Sequence, residues 1–403
     1  MQLADRTTLI QESITLAVNS KAAALRRAGV DVISFGAGEP DFDTPEFIKQ
    51  AAKDALDKGQ TKYTPTPCYP ELKAAIARKF NRENNLPYTP QQITTGAGGK
   101  FCLYLAMMTL INPGDEVIIP APYWVSYPEQ VKLFGGVPVF VRGDESRDFK
   151  ITPQQLAEAI TAGRGRTRAF IINSPSNPGG HTYSPDELDA LADVLIKHPN
   201  IVILSDEIYE KLVYEGTKSI SFASLDPALL DRTLTFGCHS KSFAMTGWRV
   251  GYVGGPQHII DAMNKMQSQT TSHITSFTQM PAATALDDPR GAETIESMRQ
   301  EFERRGQHMW ERLTSLPSIT CVTPTGAFYA FPNVSAYFGK RIGDHSITDA
   351  VTFASALLEQ NHVAVVPGND SGFNTHVRLS FATSMEQIDK GIDRIGEFLK
   401  SLT

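Results

Sequence analysis

Residues 201–209 read Ile201-Val202-Ile203-Leu204-Ser205-Asp206-Glu207-Ile208-Tyr209, an unbroken apolar run that ends in a hydroxyl and two carboxyl groups. Four apolar residues without polar alternation suit a strand covered on both faces, as strands of parallel sheets are. The same texture recurs at 116–120, 137–141, 169–172, 233–236 and 250–253, with helical patterns such as 185–197 between many of the runs. That alternation predicts an α/β fold with a mainly parallel sheet between two layers of helices. Ligands of such sheets sit at the carboxyl ends of the strands. The polar residues that close each run therefore carry the functional reading.

Around this centre the chain has 403 residues, 41% hydrophobic and 20% charged, the balance of a globular protein too long for one ordinary core. A net charge of −6 gives no electrostatic case for nucleic acid or an anionic membrane. Cys68, Cys102, Cys238 and Cys321 are scattered, with neither a CxxC nor a zinc-ligand spacing, and read as reduced thiols with no metal site. The start lacks a basic and apolar leader, and no apolar stretch reaches a membrane span, so a cytoplasmic, soluble protein is expected. The segment 31–35 reads as a short strand before a Gly-rich turn. Thr44-Pro45-Glu46 then opens a helix, with Thr44 as capping hydroxyl and Pro45 at the first helical position. Beyond about residue 289 come a long charged helix (294–313), short strands at 327–331, 363–366 and 377–381, and a final helix from Met385. The expected division is an N-terminal segment 1–44 packing with a small α+β domain 291–403, and a large domain 45–290.

Four polar groups lie in or just after strand-like runs. Asn177 is in Asn173-Ser-Pro-Ser-Asn177-Pro-Gly-Gly, Asp206 in Ser205-Asp-Glu-Ile-Tyr209, Lys241 in His239-Ser-Lys241, and Arg378 in Val377-Arg-Leu-Ser-Phe381. Singly, each has an ordinary explanation as a turn, a helix cap, a solvated amine or an edge-strand charge. In this order they match one chemistry. A lysine amine condenses with a carbonyl cofactor. A pyridine ring acts as an electron sink only while a carboxylate keeps its nitrogen protonated. Asn and Tyr donate to a phenolic oxygen, and an arginine fork grips a substrate carboxylate.

The stretch Ser240-Lys241-Ser-Phe-Ala-Met-Thr-Gly-Trp-Arg249-Val-Gly-Tyr resembles the lysine motif of class I aminotransferases, the fold-type-I pyridoxal-phosphate enzymes. The resemblance extends through Gly36-Ala-Gly-Glu-Pro-Asp-Phe-Asp-Thr-Pro45, Thr61-Lys-Tyr63-Thr, Gly98-Gly-Lys100, Pro122-Tyr-Trp124-Val-Ser-Tyr-Pro128 and Val377-Arg-Leu-Ser, and is strongest to the aspartate/prephenate branch. It implies the fold-type-I architecture, with a mainly parallel seven-stranded sheet in the large domain, and pyridoxal 5′-phosphate as cofactor.

By that resemblance Lys241 would bond the cofactor aldehyde and shuttle the substrate proton in a ping-pong transamination. Asp206 would hold the ring nitrogen, Asn177 and Tyr209 the ring oxygen, and Trp124 would stack on the ring. Arg249, Ser240 and the amides of Gly98, Gly99 and Lys100 would hold the phosphate. Tyr63 would reach the phosphate of a second subunit, implying a homodimer with shared sites. Arg378 and Asn177 would clamp the α-carboxylate, with Gly38 and Trp124 lining the substrate pocket. Lys100, Ser13 and Thr15 would meet the far carboxylate of a dicarboxylic substrate.

The chain departs from the family at Cys238-His239 before the serine, and at Asn177-Pro-Gly-Gly in place of Asn-Pro-Thr-Gly. Cys238 is a poor replacement for a phosphate-binding hydroxyl, and His239 reads as a packed residue behind the site. Aspartate with 2-oxoglutarate is the expected pair, with glutamate also a donor. Prephenate is the alternative acceptor, although a lysine linked to it is replaced by Gln11. Aromatic or kynurenine-type transfer and C–S lysis are further chemistries of the same fold. A dehydrogenase reading of Gly36-Ala-Gly38 has only a weak signal, because the third glycine is missing and Glu39-Pro40 interrupts the helix start.

Overall fold

A computed structural model of the chain describes residues 3–11 and 14–403. Its centre is a seven-stranded sheet. The strands are β1 (Ile93–Ala97), β2 (Glu116–Ala121), β3 (Val137–Arg142), β4 (Thr167–Asn173), β5 (Val202–Asp206), β6 (Thr233–Cys238) and β7 (Val250–Gly254). They lie in the order β1-β7-β6-β5-β4-β2-β3. β7 runs antiparallel to both its neighbours, and the other pairs are parallel. Six of the seven were legible as apolar runs. β1 was not, because Ile93-Thr-Thr-Gly-Ala97 has no run to read, yet Thr94 and Thr95 are fully buried and bond Asn264 and the Pro67 carbonyl.

The continuous runs reflect two covered faces. Val117, Ile119, Ile171 and Leu204 enter one core with helix Gly99–Leu110, while Ile118, Phe170, Ile172 and Ile203 enter another with helix Pro185–Ile196. Each such side chain contributes ~1.5–3 kcal/mol relative to exposure. The register aligns Asn173 with Asp206, so β4 and β5 end side by side in polar groups.

The C-terminal part has a three-stranded antiparallel sheet, with Val377–Ser380 between Val366–Pro367 and Tyr329–Ala330. Helices Arg290–Thr314, Ala350–Asn361 and Met385–Ser401 share one core with it. Ile33–Ser34 pairs in parallel with Val363–Ala364, tying the early segment to this part. The expected strand 363–366 is two strands broken at Val365. The helix after residue 44 starts at Glu46 with Pro45 as its cap residue. The Thr44 hydroxyl does not cap it: it donates to the Ala244 carbonyl at 2.7 Å and accepts from Trp248 Nε1 at 3.0 Å. A tertiary contact has taken the oxygen that local pattern assigned to the helix. Among the described residues no helix is long and apolar enough to cross a membrane.

Near the start of β7, Gly251 lies against the loop that follows β1: a Cβ there would stand 2.4 Å from both Gly98 C and Gly99 N. Backbone cannot yield as a flexible side chain can. Gly251→Ala is expected to cost ~1–3 kcal/mol by overpacking and to weaken anion binding at the loop, read by thermal melting and by phosphate titration.

Candidate active site

Three strand ends supply the centre of the site. Asn173 closes β4, Asp206 closes β5, and the helical turn His239–Ser242 carrying Lys241 follows β6 directly. Lys241 Nζ donates to the Gly38 carbonyl, which brings the 36–38 turn over the same spot. Asp206 is buried, accepts from the Tyr127 hydroxyl at 2.5 Å on Oδ2, and has only a 3.4 Å contact from Ile208 N on Oδ1. Burial pushes its carboxyl up to about 6, opposed by the Tyr127 hydrogen bond and the Lys241 charge. Asn173 braces the corner, donating to the Asp206 carbonyl and accepting from Asn177 N.

Arg378 projects from the middle strand of the C-terminal sheet. It donates from Nη1 to Asn177 Oδ1 at 3.0 Å and from Nη2 to the Gly36 carbonyl at 3.1 Å, with its guanidinium 4.6 Å from the Tyr329 ring centre. Its buried Nε has no hydrogen-bond partner among the described residues, so this donor too remains unspent. Tyr209 and Tyr329 join hydroxyls at 2.9 Å.

At the other end Gly98, at φ +85°, leads into helix Gly99–Leu110. A Cβ on Gly98 would strike the Arg249 guanidinium at 2.3 Å, so the close approach needs glycine. Arg249 donates to the carbonyls of Thr246 and Ala97. Lys100 Nζ lies 5.0 Å from the Trp124 ring centre, and burial lowers its pKa, with the Arg249 charge assisting. A cavity of about 240 Å³ reaches Asn177, Asp206, Tyr209 and Arg378, and one of about 510 Å³ reaches Gly99, Ser240 and Arg249. Gly38, Lys100, Trp124 and Lys241 line both.

These parts fit pyridoxal phosphate. A helix N-terminus with an arginine suits the phosphate. A buried carboxyl, short of a partner on one oxygen, suits the ring nitrogen, and an amine stands between them.

Thus eleven of the expected residues (Gly38, Gly99, Lys100, Trp124, Asn177, Asp206, Tyr209, Ser240, Lys241, Arg249 and Arg378) line the joined cavities, with Gly98 against Arg249. Tyr63 is elsewhere, 92% exposed and edge-on to the His273 ring. Ser13 lies outside the described residues, as does the side chain of Thr15. His239 is fully buried, bonds the Ala282 carbonyl and stacks on Phe243, and burial pulls it down to about 4, so it is a neutral packing residue. The buried Cys238 thiol is pushed up by burial and stays protonated. Sequence reasoning missed Tyr127, Asn173 and Tyr329. Tyr127 stood inside the quoted 122–128 stretch, three residues after Trp124, whereas Tyr329 sits in an apolar run that reads as core.

The raised Asp206 pKa fixes a stability prediction. Relative to its ordinary 3.8, a folded value of about 6 favours the folded state while the group is neutral. That contribution is complete below about pH 4 and is lost as pH rises through 6. Cofactor-free Asp206→Asn is therefore expected to melt higher than the parent at pH 8, by on the order of 2–3 kcal/mol, with no advantage at pH 4. Equal melting temperatures at pH 8 would contradict it.

A family model described as aminotransferase class I and II matches residues 30–395. The chain is 48% identical to an aspartate aminotransferase of Geobacillus stearothermophilus over the whole of both chains. It is 49% identical to an aspartate/prephenate aminotransferase of Cereibacter sphaeroides, over 100% of this chain and 99% of the relative. Among solved structures, the aspartate aminotransferase of Rhizobium meliloti superimposes with a TM-score of 0.95 at 43% identity, covering 100% of both chains. That of Thermus thermophilus with maleate gives 0.91 at 42%, covering 98% of this chain and 99% of the other.

Proposed function

We propose, from the premise that this chain belongs to the class I and II aminotransferases, that it moves the amino group of aspartate, or of glutamate, to a 2-oxo acid. The enzyme is a pyridoxal-phosphate-dependent aminotransferase acting on amino and oxo acids. The observation that carries the residue assignment is the pair of cavities that share Lys241, one lined also by Asp206 and Arg378 and the other by Arg249.

Pyridoxal phosphate, when bound, supplies an aldehyde for the amino group and a ring that accepts the charge left at the substrate Cα. In this reading Lys241 Nζ holds the cofactor at rest and carries the proton to and from Cα. Asp206, ionised beside a cationic ring nitrogen, keeps that nitrogen protonated; the burial that disfavours its charge alone rewards the pair. Asn177 and Tyr209 would donate to the ring oxygen, and Trp124 would pack against the ring. Arg249, Ser240 and the amides of Gly98, Gly99 and Lys100 hold the phosphate. Arg378, held flat by Asn177 and Gly36, offers its remaining donors to the α-carboxylate.

Lys100, with Ser13 and Thr15, receives the second carboxylate. The dicarboxylate named in the Thermus structure agrees with that preference. A second acceptor, prephenate, is favoured by the name of the Cereibacter relative and by a cavity of about 350 Å³ that borders Lys100 and reaches Gln11 and Lys132. The exposure of Tyr63 supports a homodimer in which it enters the partner's site. The division at residues 44 and 290 belongs to the same reading, supported by the shared core of the C-terminal helices and sheet. A cytoplasmic setting belongs to it too, supported by the scattered free cysteines.

Steady-state kinetics with aspartate, alanine and phenylalanine, plus prephenate as acceptor, test the reading. Lys241→Ala is expected to lower turnover by more than roughly a thousandfold. Lys100→Ala is expected to raise KM for aspartate roughly tenfold or more, while alanine and phenylalanine move within about twofold. Equal losses on all three amino acids would remove Lys100 from the far-carboxylate role.

A further inference from the structure

Tyr329 lies in none of the motifs quoted above, yet it touches both halves of the site. Its strand pairs with that of Arg378, through Leu379 opposite Ala330 and Ser380 opposite Tyr329. Its ring is the flat face beneath the Arg378 guanidinium, 4.6 Å from centre to Cζ. Its hydroxyl meets that of Tyr209 at 2.9 Å, and a Cβ on Gly38 would stand 3.3 Å from the same oxygen. The ring is 1% exposed, so both contacts are fixed by packing.

We propose that Tyr329 is a positioning residue with two separable duties: its ring seats Arg378 for the substrate carboxylate, and its hydroxyl strengthens Tyr209 as a donor to the cofactor's ring oxygen. The inference rests on the aminotransferase reading above.

The direction of the hydrogen bonds follows from the inventory. The titratable groups facing Tyr209 are Tyr329, Arg378, Asp206, Tyr127 and Lys241, the last with Nζ 6.0 Å from the ring centre. Burial holds the Tyr209 phenol far above its usual range, so it remains a donor. If Tyr209 gives its one proton to the ring oxygen, Tyr329 has to give its own to Tyr209. Each donor in such a chain polarises the next. The result favours the deprotonated ring oxygen and lowers the pH at which the visible absorbance of the bound cofactor titrates. The seat acts on a different quantity. A cation over an aromatic face is held in place and orientation, and loss of that seat loosens carboxylate binding in ground and transition states alike, which raises KM and spares kcat.

Two variants of the holoenzyme separate the duties. Tyr329→Phe keeps the ring and removes the hydroxyl. It is expected to shift the absorbance titration upward by roughly a third of a pH unit or more, with KM for aspartate within about twofold of the parent. Tyr329→Leu removes both, and is expected to add a roughly tenfold rise in KM and in the dissociation constant of maleate. An unmoved titration in Tyr329→Phe, or a KM that rises equally in both variants, overturns the proposal. These outcomes presuppose a visible cofactor band; a purified parent with no such band after incubation with pyridoxal phosphate would instead overturn the aminotransferase reading itself.

Discussion

The constraint on which the site depends is the burial of one carboxyl group, Asp206, at the end of a strand with protein on both sides. A carboxylate removed from water is costly unless an opposite charge meets it. Tyr127 meets one oxygen well, whereas the other has only a long contact from Ile208 N. The protein thus carries a standing electrostatic demand in the space between Lys241, Trp124 and Tyr209. In the proposed reading a protonated ring nitrogen would answer it, and cofactor affinity and ring electronics would have one origin.

That demand is usable because rigid elements fix the surroundings. Asn173 and Asp206 are in register on neighbouring parallel strands, and Lys241 rises one strand further along the sheet. At the other end of the site, Gly98 and Gly251 let loop, strand and arginine approach closer than any side chain would permit. Arg378 comes from a different sheet and a different core, bound back to the first by Asn177 and Gly36. In the proposed reading one sheet would hold the cofactor and the other the substrate carboxylate, with Tyr209 of the first packed into the core of the second.

Much of this was legible in the residues. The apolar runs located six of the seven strands because burial on both faces leaves no room for polar alternation. The polar residues that end those runs are the ones that line the cavity. β1 escaped notice because its buried threonines satisfy themselves through tertiary partners that no local pattern records. Thr44 misled for the related reason that a hydroxyl beside a helix start can be claimed by a distant carbonyl. Tyr127 and Tyr329 were hidden because an aromatic residue in an apolar stretch looks like packing, and only the hydroxyl's neighbour reveals its second use. Asn173 was visible at its strand end but gave no sign that its amide would brace two loops.

The order of the site along the chain has a consequence for synthesis. Every group proposed for the chain's own cofactor lies between residues 98 and 249, and the strands of the large sheet are all made by residue 254. Arg378 and Tyr329 emerge last, and the early strand at Ile33–Ser34 waits unpaired until Val363–Ala364 appears. The residues proposed for the anion cradle are therefore made well before those proposed for the substrate's α-carboxylate. Folding of the first-made part can be supported by cofactor or phosphate during translation, while the strand that carries Arg378 is added only as the ribosome finishes.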